Sequence, residues 1–137
     1  RGYNIKMQLY TVPGQVKYNA TRKLVLRGAD GIVFVADSMA MRQQMNIAAL
    51  KNLQENLALF DKSIFKIPLV LQYNKRDLEK QGIPLLSVET LEKDLNSQLK
   101  VPSFEASALV GTNVAATMKK VISLTIASLG KKLETKG

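Results

Sequence analysis

The residue types best suited to chemistry lie in one short run, Asn74-Lys75-Arg76-Asp77. A carboxylate at Asp77 can accept two hydrogen bonds, from the ring N–H and the exocyclic amine of guanine, a donor pair that adenine does not offer. A buried carboxylate left without its donors is costly, so such a site rejects adenine. The stem of Lys75 can lie over a flat base, and Asn74 can tie the loop to neighbouring backbone. Ordinary polar turns after strands use the same residue types. The apolar stretch Ile67 to Tyr73 directly before the run favours the base-binding reading.

Composition narrows the remaining chemistry. The 137 residues include neither histidine nor cysteine. His general bases, Cys nucleophiles, His/Cys zinc sites and disulfides are therefore excluded, and hydroxyls, carboxylates, amides, Lys and Arg must carry any reaction. The length suits one domain with a real core. The longest apolar run, Ile32 to Ala36, is strand-sized, so no membrane span is expected. A cysteine-free chain without a signal peptide fits the cytoplasm. The formal charge of +9 is concentrated early: Arg1, Lys6, Lys17, Arg22, Lys23 and Arg27 all precede the first acid, Asp30. Such a face could meet nucleic acid or acidic lipid, but no aromatic residues interleave it as on nucleic-acid surfaces, so nucleic acid is an unlikely partner.

The elements that must position the run alternate between strand and helix. Ile5, Met7 and Leu9 alternate with polar residues and predict a strand running into Thr11-Val12-Pro13-Gly14. A helix is expected from about Tyr18 to Arg27, closed at Gly28, followed by a strand from Gly31 to Val35 that is apolar on both faces and so reads as buried. Ser38 is expected to cap a long helix with Met45, Ala49, Leu53, Leu57 and Phe60 inward. Ile67 to Tyr73 predicts another strand, and Ser87 caps a helix with Val88, Leu91, Leu95 and Leu99 on one side. Val101 to Phe104 forms a short strand. A last helix carries Val114, Met118, Val121, Ile122 and Leu129 and is expected to end at Gly130, leaving 131–137 as a mobile basic tail. The pattern predicts an α/β fold, a mainly parallel sheet with helices on both faces. Ligands of such sheets bind beyond the carboxyl ends of the strands, which directs attention to three loops: Thr11 to Gln15, Asn74 to Asp77, and Glu105 to Leu109.

Asn74, Lys75 and Asp77 match the NKxD element of Ras-like GTPases, and Ser107-Ala108-Leu109 resembles their SAK element with Leu109 in place of Lys. Thr11-Val12-Pro13-Gly14-Gln15 stands where most of that superfamily has DxxGQ and is similar to the TVPGQ of MglA-like gliding-motility GTPases. Tyr18, Arg22, Lys23, Leu24, Gly28, the run Asp30 to Ser38, and Gln72-Tyr73 before the NKxD match also resemble that group. The resemblance implies a P-loop NTPase fold of the Ras-like three-layer kind, with residues 1–130 forming a partial GTPase domain. It implies GTP hydrolysis to GDP with Mg²⁺, Gln15 orienting the attacking water and the Gly14 amide meeting the terminal phosphate. Asn74, Lys75, Asp77, Ser107, Ala108 and Leu109 would hold the base, Ala108 through a backbone amide near it. Thr11, a neutral hydroxyl where the superfamily has Asp, would be a weaker, water-mediated contributor to the Mg²⁺ shell.

No GxxxxGK[ST] phosphate loop occurs in the sequence, and its first residue is Arg1, so the resemblance implies an N-terminally truncated domain whose Mg²⁺ ligands mostly lie upstream. The chain alone is then expected to be inactive. The implied partners are a guanine nucleotide, a roadblock-type activator like MglB, and polarity proteins. The alternative is a non-catalytic interaction module that uses the GTPase fold to dock such a regulator.

Overall fold

In a computed structural model, residues 19–107, 111 and 113–136 are described. Three strands form one parallel sheet in the order β1 (Ile32–Asp37), β2 (Leu69–Asn74), β3 (Ser103–Glu105). The register pairs Ile32 with Leu69 through Asp37 with Asn74, and Leu71 with Ser103 through Tyr73 with Glu105, so all three strands end on one edge of the sheet. Helices α1 (Asn19–Arg27), α2 (Gln43–Ala58), α3 (Val88–Leu91) and α4 (Val114–Lys136) alternate with them, and α3 continues as a π-helical segment, Glu92–Asn96.

Side chains of a strand point alternately to opposite faces, and here the faces differ in kind. Ala36, Leu69, Leu71 and Tyr73 join Leu26 of α1, Leu53 and Leu57 of α2, and Leu91 and Leu95 in the main core. The opposite face meets α4 through a more polar seam, where Gln72 Nε2 donates to Thr117 Oγ1 at 2.9 Å. Thr117, Val121 and Thr125 are the buried side chains on α4, spaced four apart. Gly31 is required there: a Cβ would overlap Thr125 Oγ1, which is itself held by donating to the Val121 carbonyl at 2.7 Å. The sheet thus has helices on both faces, as the alternation predicts.

Several local expectations change. Ser38 does not cap α2; a 3₁₀ turn, Ala40–Arg42, intervenes, and Ser38 is buried below it. The inner face of α2 is Gln43, Asn46, Leu53, Asn56 and Leu57, while Met45 is 59% exposed. The apolar stripe misplaces the upper half of the helix because Asn46 turns inward to bond the end of β1. The predicted apolar stripe of α4 is likewise shifted, with Met118 and Ile122 only half-buried beside the Thr117 to Thr125 line. β1 is not buried on both faces: Ala36 is covered but Val35 is 53% exposed, since β1 is the outer strand among the described residues. α4 does not stop at Gly130 but runs to Lys136. One glycine inside a helix costs only about 1 kcal/mol, which the helix formers around it offset. Ser87 does cap α3 as expected, accepting from the Thr90 amide. The predicted strand from Ile5 to Val12 lies outside the described residues.

Tyr73 contributes a pH dependence. Its phenol is fully buried and its pKa is raised from the ordinary 10.0, first by burial and then by the charge of Glu92. The hydroxyl lies near Glu92 and Ser103 without a well-aligned hydrogen bond of its own. The folded state therefore keeps the neutral phenol while the unfolded chain ionises. The contribution of Tyr73 to stability is constant well below pH 10.0 and is lost as pH rises above it, by up to about 1.4 kcal/mol per pH unit. Denaturant unfolding from pH 9 to 11 is expected to show this slope, and Tyr73→Phe to flatten it; equal slopes in the two proteins would exclude Tyr73 as the cause.

Candidate functional site

Three loops meet where the strands end. The first leaves β1 at Asp37 and Ser38, the second leaves β2 at Asn74 and Lys75, and the third leaves β3 at Ala106 and Ser107. Backbone hydrogen bonds stitch them together: Ser38 N donates to the Asn74 carbonyl at 3.1 Å, Ala106 N to the Tyr73 carbonyl at 2.8 Å, and Arg76 N to the Ala106 carbonyl at 3.1 Å. These bonds extend the parallel ladder by one step on each side, so the loops inherit the rigidity of the sheet.

Lys75 marks the change of direction. Its backbone is left-handed, φ 69° and ψ 24°. That conformation costs a non-glycine residue about 1–2 kcal/mol, and such outliers concentrate at sites where surrounding contacts over-determine the backbone. Here the contact is an ion pair: Lys75 Nζ lies 2.8 Å from Asp37 Oδ2, across the strand ends. A 3₁₀ turn, Arg76–Gln81, follows, with Asp77 in its first turn. Ser107 Oγ donates to Asp77 Oδ1 at 2.8 Å, fixing the carboxylate from the third loop. One oxygen of Asp77 is thus oriented, and the second can face a ligand. Arg76 points away and braces the floor, donating through Nη1 to the Leu86 carbonyl at 2.6 Å and pairing through Nε with Glu105 Oε1 at 3.3 Å.

The structure therefore brings together Asn74, Lys75, Asp77 and Ser107. Thr11, Gly14, Gln15, Ala108 and Leu109 lie outside the described residues. Sequence reasoning assigned no role to Asp37, Asn46 or Arg76. Asp37 carried a usable signal, an acid placed just where an apolar strand ends. Asn46 carried none, because an Asn within a helix reads as solvent-facing. Among the described residues no group of three or more Asp or Glu side chains could hold a metal ion, and no helix is long and apolar enough to cross a membrane.

As chemistry, the arrangement presents a carboxylate and a lysine stem on one rim. The carboxylate is aimed by a hydroxyl, and the lysine head is anchored behind it. A carboxylate of this kind is able to accept hydrogen bonds from two adjacent N–H donors on a planar ring.

The model of the Ras family matches residues 1–127. The chain is 46% identical over 131 residues to the mutual gliding-motility protein MglA of Myxococcus xanthus (strain DK1622), covering 96% of this chain and 65% of that protein. It is 28% identical over 125 residues to the Ras-related protein Rab-27A of Sus scrofa, covering 90% of this chain and 53% of the relative. The chain thus spans less than two thirds of the length of either relative.

Proposed function

The chain belongs to the Ras family, and from that membership we propose that the protein is a GTP-binding switch that hydrolyses GTP to GDP and acts in cell polarity and gliding motility. One observation carries the nucleotide part of the reading. Asp77, in the first turn after β2, has one carboxylate oxygen fixed by Ser107 from a loop 30 residues away, beside a lysine turned out by a left-handed backbone. The oriented carboxylate and the lysine held across the strand ends together favour a ligand over an ordinary polar turn. The motility part rests on the 46% identity to a protein named for gliding motility.

In this reading Asp77 accepts the two guanine donors, Lys75 covers one face of the base, and the backbone near Ala108 meets the keto oxygen. Mg²⁺, when bound, would neutralise charge on the phosphates. Thr11 is the residue of this chain proposed near its shell. Gln15 orients the attacking water and Gly14 leaves room for the terminal phosphate. Release of that phosphate frees the segment that follows Pro13. A roadblock-type activator and polarity proteins are the proposed partners, and the cytoplasm the proposed compartment.

Calorimetric titration of the product of the complete reading frame with GDP, GTP and ATP tests the reading. Guanine nucleotides are expected to bind far more tightly, and equal affinity for ATP and GTP would overturn it. For the hydrolytic step, Gln15→Leu is expected to leave GTP affinity unchanged and to slow single-turnover hydrolysis roughly ten-fold or more, about 1.4 kcal/mol of barrier per decade. Unchanged hydrolysis would remove Gln15 from the mechanism.

A further inference from the structure

Behind Lys75 stands an acid whose position is set more firmly than an ion pair at a surface requires. Asp37 is the last residue of β1, and its side chain does two things at once: Oδ2 takes the Lys75 ammonium at 2.8 Å, while Oδ1 accepts from the Met39 amide at 3.0 Å. Its backbone is clasped by Asn46 of α2. Asp37 N donates to Asn46 Oδ1 at 3.1 Å, and Asn46 Nδ2 donates to the Asp37 carbonyl at 2.8 Å. The second hydrogen on Asn46 Nδ2 goes to Gln43 Oε1 at 3.0 Å, and Gln43 Nε2 donates in turn to Asp94 Oδ2 at 3.0 Å.

Both hydrogens of the Asn46 amide and its oxygen are therefore engaged, and the pairing with one backbone N–H and one backbone C=O admits a single orientation of the group. Asn46 is 6% exposed and Gln43 8%, so these bonds lie where unmade ones are costly. A buried polar chain on the inner face of a helix displaces apolar packing, which makes sense if it fixes something that packing cannot. What it fixes is the backbone of Asp37, and with it the point at the end of β1 from which the carboxylate projects. That carboxylate in turn holds the head of a long, otherwise mobile side chain, whose immobilisation on binding would cost rotamer entropy.

We propose that Asp37 is a positioning residue for Lys75, held by Asn46 so that the lysine stem is already laid across the strand ends when guanine nucleotide arrives. The inference rests on the guanine-nucleotide reading of the site and adds to it a residue from β1 and a clasp from α2. Asp37 does not touch the base; it acts through Lys75.

A double-mutant cycle in the product of the complete reading frame tests this, with GDP affinity measured by calorimetry and folding by thermal melts. Asp37→Asn keeps an acceptor for the Met39 amide and loses only the charge that holds Lys75. It is expected to weaken GDP binding about three- to ten-fold, the range for a partly exposed ion pair and its ordering, with little change in melting temperature. Lys75→Met keeps an apolar stem over the base and removes the head. In that background Asp37→Asn is expected to weaken GDP binding by less than about two-fold, because the group it positioned is gone. Equal losses in both backgrounds, or no loss in the single variant, would overturn the proposal while leaving the guanine-nucleotide reading intact. A wild-type protein that shows no preference for GDP over ADP would instead refute that reading, and the proposal with it.

Discussion

Asp77→Ala is expected to lower GDP affinity of the product of the complete reading frame by roughly two to four orders of magnitude. The two charge-assisted hydrogen bonds proposed between Asp77 and the base would be lost, each worth about 1.5–3 kcal/mol, and each 1.4 kcal/mol is a decade of affinity. The fold should be nearly untouched. Asp77 is part-buried in a 3₁₀ turn, and among the described residues its side-chain donor is Ser107 Oγ at 2.8 Å. Removing a single neutral donor's partner at a part-buried site costs on the order of 1 kcal/mol. Ser107→Ala should show the same effect in weaker form, lowering affinity several-fold by releasing the carboxylate from its fixed orientation while keeping its charge. Calorimetry with GDP, together with thermal melts of each variant, provides the check. If Asp77→Ala binds GDP within two-fold of the wild type, Asp77 does not contact the base.

Leu71→Ala is expected to have the opposite profile, a large loss of stability of about 2–5 kcal/mol. Leu71 is fully buried at the middle of β2, in register with Phe34 on one side and Ser103 on the other, and its side chain sits in the main core. Truncation there leaves a cavity that cannot collapse, because both neighbouring strands are held by the ladder and the facing helices by Leu53, Leu57 and Leu91. Against a total of about 5–15 kcal/mol for an ordinary domain, such a loss leaves little margin. Denaturant unfolding measures it, and a change below 1 kcal/mol would mean that the core around β2 repacks freely. Taken with Asp77→Ala, the pair separates a residue proposed to hold the ligand from one that holds the sheet.

The sequence by itself determined the order of strands and helices, because strand and helix impose different apolar periods that local reading detects. The run proposed to hold the base was legible too, since Asn74, Lys75 and Asp77 are neighbours whose types state the chemistry they can do. The cap at Ser87 was legible for the same reason, its partner Thr90 being three residues away. What only the tertiary structure decided are the partners of those groups. Ser107 reaches Asp77 across 30 residues and Asp37 reaches Lys75 across 38, distances closed by strand register and by nothing visible in local pattern. The inner face of α2 was misjudged at Met45 because apolar periodicity marks only surfaces that bury carbon. Asn46 is buried to satisfy the backbone of a strand end, a requirement that exists only once β1 and α2 are side by side.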